Sequence, residues 1–466
     1  MKKATIAILA AAALGAGFPS ASHGGDFSLG RSGSSGGPWL GIGIDLTARP
    51  WPTAAQVIGF NLGIWSVSRF FRHDPWSYIS FKTVRRNFET GLVWDGDAFL
   101  MNTLAHPLHG GAYYAIARSS GLSFWESVPF ALGGSAMWEA FMENEPPSAN
   151  DLLYTTLGRI YFGELLTRLS LRVRDGRSRG LERCGRELFA FVLNPIDGLR
   201  RLFRGDTFRS RGAEDETAGP LEGSCAFGRT GTAAPWNVFR PGGDPSLSLA
   251  FRSPDPFAGE GSPRAFDVFV HRGRFQFGKK FATVQTGYGL LAGTRLGGEN
   301  ASAHLAGIFL QYDFYNLKTT RLAGPSLGAG ILSRFVLGAG LELRTSAQVG
   351  VMPVGTRDNP YLGKDGRLER DYDFGYGVTA KGEASLSAGR WGTLRLYAAL
   401  LSLDVFRGTA GSERTALLEA SYEIPIFGPW SIGLEASEIR RDSSYQGIPG
   451  IRSDFRDFRF FGAVKF

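Results

Sequence analysis

Residues 457–466 read DFRFFGAVKF, and their alternation decides the fold class of the C-terminal half of the chain. Successive side chains of a β-strand point to opposite faces. One face carries Phe458, Phe460, Gly462, Val464 and Phe466. The other carries Asp457, Arg459, Ala463 and Lys465, with Phe461 as the exception to the polar pattern. Repeated over segments of about ten residues, this alternation is typical of the strands of a transmembrane β-barrel.

The same period recurs upstream at residues 394–400 and 416–424, and the connections between such segments differ in length. Tight turns are predicted at residues 389–390 and 427–429, and long polar loops at residues 355–370, 406–414 and 440–454. Short turns and long loops in rotation are expected of a membrane barrel. The pattern predicts about ten antiparallel strands from residue 264 onward, and residues 246–253 with one further segment would make about twelve. A soluble β-sandwich or a lipocalin-like barrel is the alternative interpretation.

Features at both ends of the chain predict export to the outer membrane of a Gram-negative cell. Lys2 and Lys3, the apolar residues 6–14 and the small residues 20–22 form a signal-peptide pattern, so residues 1–22 are predicted to be removed. An uncleaved anchor is the alternative. The terminal Phe466 resembles the insertion signal of outer-membrane barrels, which implies the barrel-assembly machinery and outer-membrane lipid as partners. Export argues against nucleic acid as a partner.

Composition predicts several units and excludes a helical inner-membrane protein. The chain has 466 residues, 43% hydrophobic and 13% aromatic, with a mean hydropathy of −0.08. Apolar runs of about 20 residues would be needed for helical spans. The predicted units are a flexible segment at residues 23–50, a helical domain at 51–205, a linker at 206–245 and the barrel at 246–466. The fold class is therefore α+β, with an N-terminal helical domain before an antiparallel barrel of about 10–12 strands.

The middle of the chain is basic. The formal net charge is +8, and arginines concentrate in residues 172–186 and 200–211. A solvated basic linker and a surface for anionic lipid headgroups are both compatible with this pattern. Cys184 and Cys225 could form one disulfide, whose geometry the sequence cannot test. The sequence indicates no cofactor.

Five helical segments are expected before the barrel, and residues 80–96 are expected to connect two of them. The segments are residues 51–72, 97–119, 123–142, 148–172 and 180–203. Ser123 with Glu126 matches a capping box, and Ser148 or Asn150 can cap the next helix. Asn194-Pro195 should kink or break the last one.

Candidate site residues concentrate in residues 102–170, where polar groups stand among Gly, Ala and aromatic residues. Asn102, His106 and His109 share one helical face. A catalytic arrangement would use His106 or His109 as a base with Glu139 or Asp151, and Ser127 or Ser135 as nucleophile, although neither serine lies in a GxSxG elbow. A metal site would combine His106, His109 and Glu143.

The third interpretation of these residues is a buried polar core. Its members are Asn102, Arg118, Glu126, Asn150, Glu164 and Arg168. Arg118 and Arg168 are expected to pair with Glu126, Glu164 or Asp151. Gly110-Gly111 is expected to let a neighbouring element approach closely.

The stretches HPLHGGAYYAIARSSGLSFWES and GSAMWEAFMENEPPSANDLLYTTLGRIYFGELLTRLS, within residues 97–170, resemble an exported bacterial family, domain of unknown function 3943. The matching positions include His106, His109, Glu139, Asp151 and Glu164. Arg159 departs from the pattern, because a small residue is expected there. The family has no established activity, so the resemblance implies an exported protein with a β-rich tail and no particular chemistry.

Three functions follow as hypotheses. The leading one is an outer-membrane protein whose helical polar core binds lipid, a small ligand or a partner on the periplasmic side of a small barrel. The alternatives are an envelope lipid hydrolase or modifying enzyme and a periplasmic metal-binding module. The oligomeric state stays open.

Overall fold

A computed structural model describes residues 50–174, 178–208, 221–232, 243–253, 255–258, 262–296, 302–362 and 370–466. The described residues form two compact units that divide between Gly219 and Pro220, the first helical and the second a closed barrel. The predicted α+β class and order of units are therefore confirmed. The predicted signal peptide and flexible segment, apart from Pro50, lie outside the described residues.

The described part of the first unit contains seven α-helices. They are α1 Pro50–Ser66, α2 Phe81–Thr90, α3 His106–Ser119, α4 Phe124–Met137, α5 Ala149–Val173, α6 Gly180–Leu193 and α7 Pro195–Arg204. π-Helical turns continue α1 over Val67–Arg72, precede α3 over Met101–Ala105 and follow α4 over Trp138–Met142. None of the described helices is long and apolar enough to cross a membrane.

The helix starts follow the capping signals in the sequence. Ser123 and Glu126 form the predicted capping box at α4, and the Ser148 hydroxyl accepts a hydrogen bond from the Asp151 amide at α5. Asn194 caps α7, so the chain ends one helix and starts another at the predicted break. The interpretation of residues 80–96 as a connection was wrong for α2, because Ser80 forms a capping box with Thr83, where Glu or Gln is the usual partner.

Twelve strands among the described residues close into one barrel. They are β1 Glu222–Thr232, β2 Asp244–Arg252, β3 Phe269–Phe277, β4 Phe281–Leu296, β5 Ser302–Asn316, β6 Arg321–Gly338, β7 Leu341–Asp358, β8 Tyr372–Ser387, β9 Thr393–Arg407, β10 Ser412–Phe427, β11 Trp430–Tyr445 and β12 Ile448–Lys465. Each pairs antiparallel with its neighbours in sequence, and β1 pairs with β12 to close the barrel. The strand number is the upper value predicted from the sequence.

The barrel differs from the prediction at its start and in one of its connections. The supposed linker at 206–245 contains β1, whose sequence is rich in Gly, Ser and Thr and therefore lacks a clear apolar alternation. The supposed long loop at 440–454 is a hairpin in which β11 and β12 meet at Gln446-Gly447. Polar residues continue to alternate between the two barrel faces there, so pairing extends to Tyr445 and Ile448.

The predicted faces of the strands are confirmed. Asp457, Arg459 and Phe461 are buried on the inner side of β12, whereas Phe460 is exposed on the outer side. Phe461, the exception in the sequence pattern, packs inside with Ala226 and Ala463. The possible disulfide is absent, since Cys184 on α6 and Cys225 on β1 are both free thiols.

Candidate functional site

The helical unit is organised by a close approach of α3 and α5. A Cβ atom added to Gly111 would lie 3.2 Å from the amide nitrogen of Gly163, and one added to Gly163 would lie 2.8 Å from the Tyr114 Cβ. Both positions therefore require glycine, as predicted for the Gly110-Gly111 pair. The approach leaves little room for apolar side chains between the helices, and polar groups hold them together instead.

Glu164 on α5 is the acceptor for two arginines. Its carboxylate is fully buried and lies 2.7 Å from Arg118 Nε and 2.8 Å from Arg168 Nε. The Tyr114 hydroxyl donates to the same carboxylate at 3.1 Å. Burial alone would raise the pKa of Glu164, but the two guanidinium groups hold it below its ordinary value. Of the three acceptors that the sequence left open for Arg118 and Arg168, the structure selects Glu164, while Glu126 serves the Ser123 cap.

Asp95 is the second polar centre, and sequence reasoning missed it. Its carboxylate accepts hydrogen bonds from Asn102 Nδ2, from Ser148 Oγ at 2.9 Å and from Asn150 Nδ2 at 2.8 Å. Burial, and then the nearby Asp151, raise the pKa of Asp95. Asn102 and Asn150, two predicted members of the polar core, therefore meet at one carboxylate. Two of its partners lie more than fifty residues away in sequence, so no local pattern marks this aspartate.

His106 lies between two carboxylates. Its Nε2 is 3.3 Å from Asp97 Oδ2 and its Nδ1 is 3.6 Å from Asp151 Oδ2. Burial opposes protonation, but Asp151 and Asp97 outweigh it and raise the pKa of His106 to about 9. The hydrogen bond from His106 in turn lowers the pKa of Asp97. His106 is therefore an imidazolium near neutral pH, which is the wrong protonation state for a general base.

His109 differs from His106 although it lies one helical turn away on α3. Its residue surface is exposed. Desolvation of the ring, together with the positive charges of His106 and Arg159, lowers the pKa of His109 to about 4. The imidazole is neutral near pH 7 and can donate one hydrogen bond and accept another.

Glu139 and Glu143, at the end of the π-turn that follows α4, form a second acidic group. The Glu139 carboxylate is buried and accepts a hydrogen bond of 2.8 Å from the Ser148 amide. Burial, and then the charge of Asp151, raise the pKa of Glu139 to about 8. Burial, and then the charge of Glu139, raise the pKa of Glu143 well above its ordinary value. One carboxylate disfavours a second negative charge beside it, so this pair binds protons more readily than isolated carboxyl groups do.

Arg159 on α5 lies opposite Gly110. A Cβ atom on Gly110 would come within 1.9 Å of Arg159 Nε, so the arginine stem occupies the space that a larger residue would take. Arg159 is only 5% exposed, and within the described part of the chain its Nε and Nη1 atoms have no hydrogen-bond partner. Sequence reasoning noted Arg159 as an unexpected residue and assigned it no role.

The structure gives no geometric support to the nucleophile or metal hypotheses. The Ser127 hydroxyl donates to the Ser123 carbonyl at 2.8 Å, and the Ser135 hydroxyl donates to the Asp151 carbonyl at 3.4 Å. Across the described ranges, no three His, Cys, Asp or Glu side chains form a group that could hold a metal ion. The combination of His106, His109 and Glu143 therefore stays a prediction, as does catalysis by His106, His109, Glu139 and Asp151.

The barrel has a polar network of its own, here called the lumen network and made of Arg272, Arg274, Glu383, Arg395, Glu419, Glu435, Asp457 and Arg459. Arg272 on β3 pairs with Glu383 on β8 at 2.8 Å, and Arg274 on β3 pairs with Glu435 on β11. These strands are not neighbours in the sheet, so the ion pairs cross the lumen. A separate pair joins Lys381 on β8 to Asp313 on β5.

Three solved barrels illustrate how distant the structural likenesses are. OmpT, an outer membrane protein of Vibrio cholerae, is 5% identical with a TM-score of 0.22, covering 53% of this chain and 97% of its own. An anion-selective porin from Comamonas acidovorans is 9% identical with a TM-score of 0.25, covering 53% and 99%. Wzi of Escherichia coli, titled a carbohydrate-binding barrel involved in capsule assembly, is 11% identical with a TM-score of 0.16, covering 64% and 97%. Likenesses this weak support no functional conclusion.

The sequence itself gives a more specific match. No curated protein matches the chain. Residues 91–196 match the family described as Domain of unknown function (DUF3943). This range contains α3 to α6 and both polar centres of the helical unit. The match to domain of unknown function 3943 therefore covers part of the helical unit and none of the barrel.

Proposed function

We propose that this chain is an outer-membrane protein in which a closed barrel anchors a helical unit that binds lipid at the periplasmic face. The observation that carries the proposal is the apolar outer side of α6. Leu181 is 92% exposed, Leu188 64% and Val192 65%, and they recur at helical spacing on one face. Phe189 on α6 and Leu202 and Phe203 on α7 are exposed as well. Large exposed apolar surfaces of this kind mark interaction sites.

Two polar residues of α6 contact other parts of the helical unit. Glu187 pairs with Arg201 of α7 at 2.8 Å, and Arg186 donates to the Val173 carbonyl at 3.2 Å. The helix therefore exposes large apolar residues beside the exposed Glu182–Arg186 ion pair, whereas a surface helix of a soluble protein buries its apolar stripe.

Charge favours a lipid surface as the occupant of this face. Arg172, Arg179 and Arg204 are exposed at the ends of α5, α6 and α7. An apolar helix face flanked by arginines is the pattern of a helix that lies in the headgroup region of an anionic bilayer. Under this proposal, the basic segment contacts lipid headgroups.

The barrel supplies the membrane anchor. Its outer side is apolar, with exposed Leu396, Leu400, Leu418 and Leu434, and its strand number is even, as in bacterial outer-membrane barrels. The start of β1 and the end of β12 lie together, because Gly223 and Phe466 exchange backbone hydrogen bonds of 2.8 and 3.0 Å.

The turn lengths bear on which end of the barrel faces the periplasm. The turns at residues 339–340, 388–392 and 428–429 lie at the end of the barrel where β1 starts, and the long connection at 359–371 lies at the other end. At that end residues 253–268 are long, and at the other end the connections at residues 278–280, 317–320, 408–411 and 446–447 are short. We take the end where β1 starts as the periplasmic one, because three of its turns are as short as the periplasmic turns of such barrels.

The lumen network argues against a transport role. Ion pairs that cross the lumen obstruct the path that a solute would follow, and a barrel with this few strands has little free interior. The barrel is therefore proposed as an anchor rather than a pore.

The native thiol on α6 provides the test. Full-length Cys225→Ser protein is labelled at Cys184 with an environment-sensitive dye and placed in nanodiscs of anionic or zwitterionic lipid. A blue shift and quenching by brominated lipid are expected, both stronger with anionic lipid. The control is a label at Arg452→Cys beside the β11–β12 hairpin, an exposed polar position, in protein lacking both native cysteines. Equal spectra at residues 184 and 452 in anionic nanodiscs would refute lipid binding by α6.

A further inference from the structure

We propose that the helical unit contains an anion-binding site in which Arg159, with His109 at its entrance, receives a carboxylate or phosphate group. The site uses α3 and α5 and not the apolar side of α6, so it does not depend on the proposed lipid surface.

Arg159 is the main observation. The residue is only 5% exposed, and its Nε and Nη1 atoms are buried without a hydrogen-bond partner in the part of the chain that the structure describes. No acidic side chain of the described residues lies within ion-pair distance of its guanidinium, in contrast to Arg118, which bonds Glu164. A buried charge without a partner is strongly unfavourable, so such a group is expected to be satisfied by a ligand.

The nearby carboxylates form their hydrogen bonds and ion pairs with groups other than Arg159. Asp151 faces His106 and accepts a hydrogen bond of 2.7 Å from the Thr155 hydroxyl. Glu139 accepts a hydrogen bond from the Ser148 amide, and its charge acts on Glu143. The charge of Arg159 lowers the pKa of Glu139, but none of these carboxylates forms a direct ion pair with the guanidinium.

The surroundings of Arg159 fit a small oxyanion. Its stem crosses α3 at Gly110, and the positive charge of Arg159 opposes protonation of both His106 and His109, although the pKa of His106 is raised overall. His109 is exposed and gives access from solvent, while its neutral imidazole can donate a hydrogen bond. A guanidinium binds carboxylate or phosphate through two parallel hydrogen bonds, which a free anion could form here.

Binding is measured on the full-length protein in detergent micelles with three probes: inorganic phosphate, acetate and a water-soluble short-chain phosphatidic acid. Phosphorus NMR line broadening reports the two phosphates, and stabilisation of the helices against heat, at constant ionic strength, reports all three. Binding of inorganic phosphate or acetate identifies a free anion as the ligand. Binding of the phosphatidic acid alone identifies a lipid headgroup.

Three variants decide whether Arg159 carries the binding. Arg159→Met should weaken it at least about tenfold, the effect of losing a charge-assisted bidentate contact. His109→Gln, at an exposed position, should weaken it less and leave folding intact. Arg452→Met, an exposed arginine beside the β11–β12 hairpin, is the control and should bind as the wild type does.

Thermal unfolding separates a binding role from a structural one. Arg159→Met should unfold at the same temperature as the wild type or higher, because the variant removes an unmatched buried charge. The proposal is overturned if no probe binds the wild type. It is also overturned if His109→Gln and Arg159→Met both bind as tightly as the wild type, or if Arg159→Met fails to fold while His109→Gln binds normally.

Discussion

Glu164→Gln should destabilise the helical unit more than any other single loss of charge in it. The carboxylate is fully buried and receives Arg118 at 2.7 Å and Arg168 at 2.8 Å, with the Tyr114 hydroxyl at 3.1 Å. A glutamine keeps the shape but leaves two guanidinium groups without a counter-charge, and Arg118 is itself only 3% exposed. Breaking a buried ion pair from one side costs about 3–5 kcal/mol.

Thermal unfolding measures this loss of folding free energy. For a unit of about 150 residues, it corresponds to a fall of roughly 6–20 °C in the Tm of the helices. The measurement is the far-ultraviolet circular dichroism of the full-length protein in detergent. Because Glu164 has a lowered pKa in the folded unit, its contribution is present above its unfolded pKa and is lost as the pH falls through the folded value. The difference between variant and wild type should therefore shrink in acid.

Two further variants test the reasoning. Glu182→Gln removes an exposed ion pair with Arg186 and should lower the free energy of unfolding by less than about 1 kcal/mol. The triple variant Arg118→Met, Glu164→Leu, Arg168→Met removes all three charges and should recover much of the loss, since apolar residues often replace buried ion groups at little cost. A Tm for Glu164→Gln within about 2 °C of the wild type would refute the assignment of Glu164 as the charge that holds α3 to α5.

Three other variants test neighbouring features. His106→Gln should be less stable than the wild type below pH 6.5, and this difference should disappear as the pH rises through about 9. A pKa that is raised in the folded state stabilises that state fully only below the unfolded pKa, which is near 6.5 for histidine. Thermal unfolding at acidic and alkaline pH measures the difference. Gly163→Ala should cost about 1–3 kcal/mol through overpacking, whereas Gly133→Ala, with nothing within 4 Å of the added Cβ, should be neutral or stabilising. Arg274→Ala should raise the conductance of the barrel in planar bilayers above that of the wild type, and Arg452→Ala, with 85% of its side chain exposed, should not.

The barrel was largely predictable because a strand has a period of two and a membrane barrel enforces it on every strand. The predictions failed where polar residues occupy both faces. β1 was taken for a linker, since its Gly and Ser residues carry no contrast between the two faces. The β11–β12 hairpin was taken for a loop, since Arg440 and Asp442 are as polar on the outer side as Arg441 is on the inner side.

The site was predictable as a set of residues but not as a set of contacts. Helical spacing placed His106 and His109 on one face, yet their opposite pKa shifts depend on Asp97, Asp151 and Arg159. The local pattern showed Glu126 as a cap. It could not show that Asp95 accepts hydrogen bonds from Ser148 and Asn150, which lie more than fifty residues away in sequence. Such contacts depend on how the helices pack.

The close approach of α3 and α5 explains why this unit carries charges where most helical units carry leucine. Glycines at 111 and 163 bring the helices together, so large apolar side chains do not fit at the crossing and cannot supply its stability. Glu164 on α5 instead stabilises the crossing through its ion pair with Arg118 on α3. Asp95 joins the start of α5 to the segment before α3. Most of the motif residues therefore have a structural role, because they stabilise the packing of these helices. Arg159 and His109 are not, because one is buried without a partner in the described part of the chain and the other is exposed. Because Glu164 and Asp95 stabilise the packing of the helices, Arg159 and His109 are not needed for it and can bind a ligand.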